Sequence, residues 1–320
     1  MGRRPFRSRL LGVLLLPFLL LLAACGGGAE ADDTSAAAEG AAGGVTVTHA
    51  QGTTTVPGTP KKAVVFDLGA LATLDELGVP VAGVPVVENL PDRLAKFGTD
   101  AYPKVGSLFE PDYEKVNALA PDLIVVAGRS SAAYKELAKI APTVDLTVDN
   151  ATFLSSLRER TEALGAIFGK QAEVERRLDA IDASVAEVKA KAGDRTGLVV
   201  LTTGGKLSAY GPGSRFGLIH DALGVKPAAE GLSTDTHGNA ISAEFVAKTD
   251  PDLLYVVDRD AAVGENGKAA KQVLDNKLVN GTKAAENGKI VYLDPFSWYL
   301  APTALSSVDG MVKAVGDSLS

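Results

Sequence analysis

The feature that most constrains this chain is a repetition. The segment PDLIVV at residues 121–126 returns as PDLLYV at residues 251–256, an offset of 130 residues. At the same offset Arg129 falls on Arg259 and Glu114 falls on Glu244. A second echo, LGV at 77–79 and at 223–225, closes a helical stretch each time. The matched segments are short, so a chance likeness between two strand–helix units is the competing explanation. Two charged positions in register favour pseudo-symmetry, in which one supersecondary plan is built twice.

The pattern around each copy agrees. Strand-like runs at 63–66, 79–87, 123–127 and 143–146 alternate with helical runs at 70–77, 112–119 and 132–140. Such alternation specifies a mostly parallel sheet with helices on its faces. Residues 150–191 differ: they read as one long helix, or as two nearly continuous helices meeting near Gly169. Leu154, Leu157, Leu164 and Phe168, then Val174, Leu178, Ile181 and Val185, keep one helical face. A coiled-coil seam would need a longer repeat, so a spine between two lobes is the preferred reading. The alternation then restarts, with strands at 198–201, 253–257 and 290–293 and helices at 214–223, 243–248, 268–274 and 304–319. The expected fold class is α/β, with two Rossmann-like lobes of mostly parallel sheet joined by a long spine helix. The expected divisions are an N-terminal lobe at 45–150, a spine at 151–194 and a C-terminal lobe at 195–320.

The beginning of the chain reads as processing signals. Arg3, Arg4, Arg7 and Arg9 precede an apolar run at 10–22, too short and wrongly flanked for a membrane-spanning helix. It ends in Leu22-Ala23-Ala24-Cys25, a lipobox, so residues 1–24 are expected to be a signal peptide and Cys25 the acylated residue. A plain signal peptide with an incidental cysteine is the alternative. Cys25 is the only cysteine, which excludes an intrachain disulfide. Residues 25–44, rich in Gly, Ala and acids, read as a flexible tether. The expected location is the extracytoplasmic face of the cell membrane, lipid-anchored through Cys25. Loss of the four arginines leaves 28 basic residues against 39 acidic ones, a net charge of −11. That balance excludes nucleic acid as a partner, and an anionic ligand would need a local basic cluster.

Ligands of open parallel α/β sheets bind beyond the carboxyl ends of the strands. Arg129 and Arg259 each follow such an end, and two facing lobes would aim both guanidinium groups into one cleft. Glu114 and Glu244 precede those strands on helices; they read either as partner-facing groups or as ordinary solvated carboxylates. In GPGSRFG at 211–217, Ser214 is expected to cap a helix and Arg215 to lie in its first turn, an unfavourable place for a cation. That suggests a role for Arg215 beyond stability, although a surface arginine reads equally well. Of the three histidines, His49 lies near the N-terminus and His220 beside apolar residues, as a packed histidine would. His237, in the polar loop STDTHGN, is the exposed candidate ligand. Tyr299 follows the strand at 290–293 and either faces the cleft or packs as a core aromatic. No Gly-x-Ser-x-Gly elbow or Ser–His–Asp arrangement is present, which disfavours a hydrolase, and too few His and carboxylate groups converge for a metal-ion site.

Seven segments together carry a family resemblance: FDLGALATLDELG, VNALAPDLIVVAGR, NATFLSSL, YGPGSRFGLIHDALG, THGNAIS, PDLLYVVDRD and IVYLDPFSWYL. The chain resembles the substrate-binding lipoproteins of bacterial ABC importers for catecholate siderophores, the enterobactin- and petrobactin-type group of class III binding proteins. The resemblance covers most of residues 63–320. It implies a non-enzymatic, monomeric protein with no permanent cofactor, whose ligand is a ferric siderophore and whose partners are an ABC permease and its ATPase. It implies that Arg129, Arg215 and Arg259 contact the catecholates, that His237 and Tyr299 complete iron coordination when the siderophore supplies only four donors, and that Glu114 and Glu244 dock the permease. Hard ferric iron favours phenolate oxygen, with imidazole acceptable. A haem or corrinoid binder of the same transporter class is the runner-up, and a siderophore-processing hydrolase is the less favoured alternative. The chain departs from the family at Pro302-Thr303, where small glycine-rich residues are usual.

Overall fold

The structure, a computed structural model, describes residues 44–320. The expected signal peptide, the lipobox with Cys25 and nearly all of the tether lie outside the described residues.

The described chain opens with an antiparallel hairpin, β1 (Val45–His49) against β2 (Gly52–Val56). A first parallel sheet follows in the order β3 (Ala63–Val65), β4 (Leu123–Val126), β5 (Thr143–Asp145). All three strands are buried along their whole length, which explains their continuous apolar character. A second, six-stranded sheet is built from β6 (Thr196–Thr203), β7 (Lys206–Tyr210), β8 (Lys226–Pro227), β9 (Asn239–Ile241), β10 (Leu253–Asp258) and β11 (Ile290–Tyr292). Its order is β11-β10-β6-β7-β9, with β8 also on β6. β10 lies parallel between β6 and β11, as β4 lies between β3 and β5.

The 130-residue repeat has a detailed structural counterpart. Helix Tyr113–Leu119, with Asp112 at its N-cap, ends in a left-handed residue, Ala120 at φ 46°. Helix Ala243–Thr249, with Ser242 at its N-cap, ends in left-handed Asp250 at φ 44°. Next, Asp122 accepts from the backbone amides of Lys61 and Lys62 at 2.7 and 2.9 Å, just ahead of β3. Asp252 does the same at the head of β6, accepting from the Thr196 amide at 2.8 Å. Each PDL motif thus ends a helix, pins the start of the neighbouring strand and enters the central strand of its sheet.

Between the sheets run helices Phe153–Ile167 and Gln171–Ala192, separated at Gly169. The buried face of the second, including Val174, Leu178 and Ile181, packs against the closing helix Leu305–Ser318, while the first, with Leu157 and Leu164 buried, packs against the second and against β1. Glu76, at the end of helix Leu68–Glu76, pairs with Arg177 of the spine at 2.6 Å and accepts from Ser306 of the closing helix.

Two expectations are corrected, and one sheet gains an edge. Residues 79–87 form no continuous strand, only isolated bridges such as Val64↔Gly83 and Val84↔Lys104. The second sheet keeps a parallel core of β8, β6, β10 and β11, and it gains an antiparallel edge because Gly204 and Gly205, at φ 54° and 77°, make a tight turn that sends β7 back along β6. Residues 214–223 do not form one helix. Only Leu218–Asp221 is helical, its N-cap is Gly217, and Ser214 turns its hydroxyl back to the Gly211 carbonyl at 2.6 Å. Arg215 therefore lies in the preceding turn, so the argument from the helix dipole does not apply to it.

A left-handed alanine carries a steric cost that glycine avoids. Ala120→Gly should therefore stabilise the fold by about 0.5–1 kcal/mol, net of the unfolded-state entropy that glycine adds. Chemical denaturation checks this, and a lowered midpoint would contradict it.

Candidate ligand-binding site

Three arginines meet around Tyr299. Arg129 lies in the 3-10 turn Gly128–Ala133 that follows β4, where Ser130 is buried and its hydroxyl accepts from the Ala127 amide at 3.1 Å. Its guanidinium donates to the Tyr299 carbonyl at 2.7 Å and to the Leu300 carbonyl at 3.3 Å, and it stands 5.3 Å from the Tyr299 ring centroid. Arg215 donates to the same Tyr299 carbonyl at 3.1 Å and lies 4.4 Å from the ring centroid. Its turn is fastened by Ser214 and by Asp221, whose carboxylate accepts from the Gly213 amide at 2.7 Å. Tyr299 belongs to a π-helical turn, Phe296–Leu300, in which Phe296, Trp298 and Leu300 are buried and Tyr299 is half-exposed. Such wide turns are a common way to re-aim a side chain at a functional position.

Arg259 opens helix Arg259–Val263, which Asp258 caps through the Ala261 amide at 3.1 Å. It holds Glu265 at 2.8 Å and lies 3.6 Å from buried Asp260. The Glu265 carboxylate, and after it the Tyr299 hydroxyl, push the Arg259 pKa up. Among the described residues no carboxylate pairs with Arg129 or Arg215. Burial, and then the like charge of Arg129, pull the Arg215 pKa down. Partly desolvated cations held together without counter-ions favour the arrival of an anion.

Tyr210, which sequence reasoning passed over, supports the cluster from below. It is buried at the end of β7, packs edge-on against Phe216 at 4.8 Å, and donates to the Thr236 carbonyl at 3.3 Å. Burial pushes its hydroxyl pKa up. Gly238 seals this contact: at φ 62°, a Cβ there would fall 2.6 Å from the Ala209 carbonyl and 2.8 Å from the Tyr210 ring. The loop carrying His237 is thus docked on the residue beneath Arg215. The His237 imidazole is exposed and, among the described residues, has no hydrogen-bond partner; only its backbone amide is engaged, by Asp235 at 3.1 Å.

The first lobe reaches the same region through residues that sequence reasoning also missed. Asn89 donates to the Ala261 carbonyl at 2.7 Å, and Arg93 lies 5.1 Å from the Phe296 ring centroid. Glu114 and Glu244 are exposed in the first turns of the two repeat-related helices and are not part of the arginine cluster. His220 donates through Nδ1 to the Val225 carbonyl at 2.8 Å, and burial lowers its pKa, as for a packed histidine. Among the described residues no three His, Cys, Asp or Glu side chains converge as a metal site, and no helix is long and apolar enough to cross a membrane.

Two α/β lobes on a helical spine, with a cationic cluster where they meet, define a bilobal solute-binding protein. The chain belongs to the periplasmic binding protein family, whose sequence profile matches residues 64–296. It is 47% identical over 281 residues to the petrobactin-binding protein YclQ of Bacillus subtilis, covering 86% of this chain and 88% of that protein. The crystal structure of YclQ superposes with a TM-score of 0.82 at 46% identity, over 86% of this chain and 98% of that one. The ferric-anguibactin-binding protein FatB of Vibrio anguillarum is 33% identical over 280 residues, covering 84% and 87% of the two chains. The periplasmic catecholate-siderophore binding protein VctP of Vibrio cholerae has a TM-score of 0.81 at 34% identity, over 85% of this chain and 99% of that one.

Asp221→Asn weakens the acceptor that fastens the Arg215 turn. It should cost about 1 kcal/mol of stability and speed amide exchange at Gly213. Unchanged exchange at Gly213 would remove Asp221 as the fastening group.

Proposed function

We propose that the protein captures ferric catecholate siderophores outside the cytoplasm and delivers them to an ABC import permease, without itself performing catalysis. The observation that carries this reading is the arrangement of Arg129, Arg215 and Arg259 around Tyr299, in a protein that is acidic as a whole. Arginine suits planar, delocalised anions through both hydrogen bonding and stacking. At about 6 Å and an effective dielectric near 20, each guanidinium–anion pair is worth roughly 3 kcal/mol before desolvation. Three such pairs offset the repulsion between a trianionic ferric complex and the protein's net negative charge. The likeness to VctP, a catecholate-siderophore binding protein, supports this class of ligand, and the likeness to YclQ and FatB, which bind petrobactin and ferric anguibactin, supports a siderophore.

In this reading Arg129, Arg215 and Arg259 grip the catecholates. His237 and Tyr299 offer imidazole and phenolate when a tetradentate siderophore leaves iron positions open. Iron is cargo, and the protein keeps no cofactor of its own. Residues 45–150 and 195–320 act as the two lobes on a spine at 151–194. Glu114 and Glu244, one per lobe, meet cationic groups of the permease, and Cys25 carries the lipid that holds the protein at the membrane.

Titration with a ferric bis- or tris-catecholate should quench Trp298 fluorescence saturably; saturation by haem or divalent metals alone would overturn the reading. Arg215→Ala should weaken every ferric catecholate by about 10–100-fold, the scale of lost hydrogen bonds to charged groups. His237→Ala and Tyr299→Phe should chiefly weaken tetradentate complexes, and equal losses for hexadentate ones would count against iron ligation. Glu114→Ala combined with Glu244→Ala should spare binding and reduce uptake by cells; normal uptake would remove their docking role.

A further inference from the structure

We infer that Asp145 is a positioning residue for Arg129, its buried carboxylate clamping the turn that carries the guanidinium. This rests on the proposed contact between Arg129 and the ligand. Asp145 ends β5 and is wholly buried. One carboxylate oxygen, Oδ2, accepts from Gln51 Nε2 at 2.8 Å and from the Ser131 hydroxyl. The other, Oδ1, accepts from the Thr147 amide at 2.9 Å and the Thr147 hydroxyl at 2.5 Å. Both chains of contacts run to the Arg129 turn. The Thr147 hydroxyl accepts from the Gly128 amide at 2.8 Å, immediately before Arg129. Ser131, two residues after it, is held directly, and its carbonyl accepts from Gln51 Nε2 at 2.8 Å.

The chemistry requires a carboxylate at this position. Four donors converge on it, and an amide would present one acceptor oxygen and an NH₂ group that repels two of them. Burial alone would push the Asp145 carboxyl up. The donors from Ser131, Thr147 and Gln51 outweigh it and hold the group below the usual carboxylate range, so it is ionised at neutral pH. The effect on function is pre-organisation. A guanidinium on a fixed turn loses less conformational freedom on gripping an anion than one on a mobile turn. Gln51 lies at the tip of the β1–β2 hairpin, so the first folded element of the described chain is part of the clamp.

A double-mutant cycle with a ferric tris-catecholate as probe tests this, together with ¹⁵N relaxation of the Arg129 amide in the ligand-free protein. Asp145→Asn should weaken binding about tenfold in the wild-type background, the scale of one lost charged hydrogen bond. It should weaken binding less than about twofold in an Arg129→Ala background, where there is nothing left to position. In an Arg215→Ala background the loss should stay about tenfold, because that arginine does not depend on the clamp. The Arg129 amide should become more mobile. Thr147→Val and Ser131→Ala, which leave the carboxylate in place, should give smaller losses with the same dependence on background and serve if Asp145→Asn does not fold. Equal weakening with and without Arg129 would reduce Asp145 to a general structural role and overturn the inference. An Arg129 amide as rigid as in the wild type would overturn the clamp whatever the ligand. Binding untouched by Arg129→Ala would instead overturn the reading of the site, and the purpose of the clamp with it.

Discussion

Two guanidinium groups donating to one carbonyl oxygen, that of Tyr299, set a demand that much of the structure meets. Arg129 and Arg215 come from different lobes, carry like charge and are partly desolvated, and among the described residues neither has a carboxylate partner. Left to themselves they would separate into water. They stay because each is mounted on a turn that cannot easily give way. The Arg129 turn is tied to β4 and, through Asp145 and Thr147, to β5. The Arg215 turn is tied by Ser214 and Asp221 and rests on Phe216 and Tyr210. The acceptor itself lies in a π-helical turn whose apolar side chains are buried.

The scaffold behind these turns is one plan used twice. In each half a helix ends in a left-handed residue, an aspartate pins the head of the neighbouring strand, and the central parallel strand delivers an arginine at its carboxyl end. The copies differ where their duties differ. Among the described residues Arg129 makes no ion pair, whereas Arg259 is held by Glu265. The second sheet adds an antiparallel edge, β7 and β9, and β7 ends in Tyr210 under Arg215.

Much of this was legible in the residues. The repeat located both arginines and both exposed glutamates, and the long helical stretch marked the spine with its break at Gly169. What escaped has physical causes. The Gly204-Gly205 turn is a readable hairpin signal, but it sits inside a chain whose dominant pattern is strand alternating with helix. The helix expected from Ser214 fails because Ser214 bonds backward and Asp221 fastens the turn from ahead, a tertiary choice between two locally acceptable conformations. Asn89 and Arg93 are far in sequence from the residues they contact, Tyr210 and Asp145 reach theirs only through tertiary packing and hydrogen bonds, and no local pattern reports such partners. His237 was legible as an exposed residue of a polar loop, but the docking of that loop on Tyr210 was not.

We propose that charge complementarity at this cluster selects the ligand. The most direct measurement is a pair of titrations under matched salt, one with a ferric tris-catecholate of charge −3 and one with a neutral ferric tris-hydroxamate of similar size. Charge selection predicts one saturable site for the trianion and affinity for the neutral complex weaker by on the order of a hundredfold or more. Equal affinities for the two would contradict it.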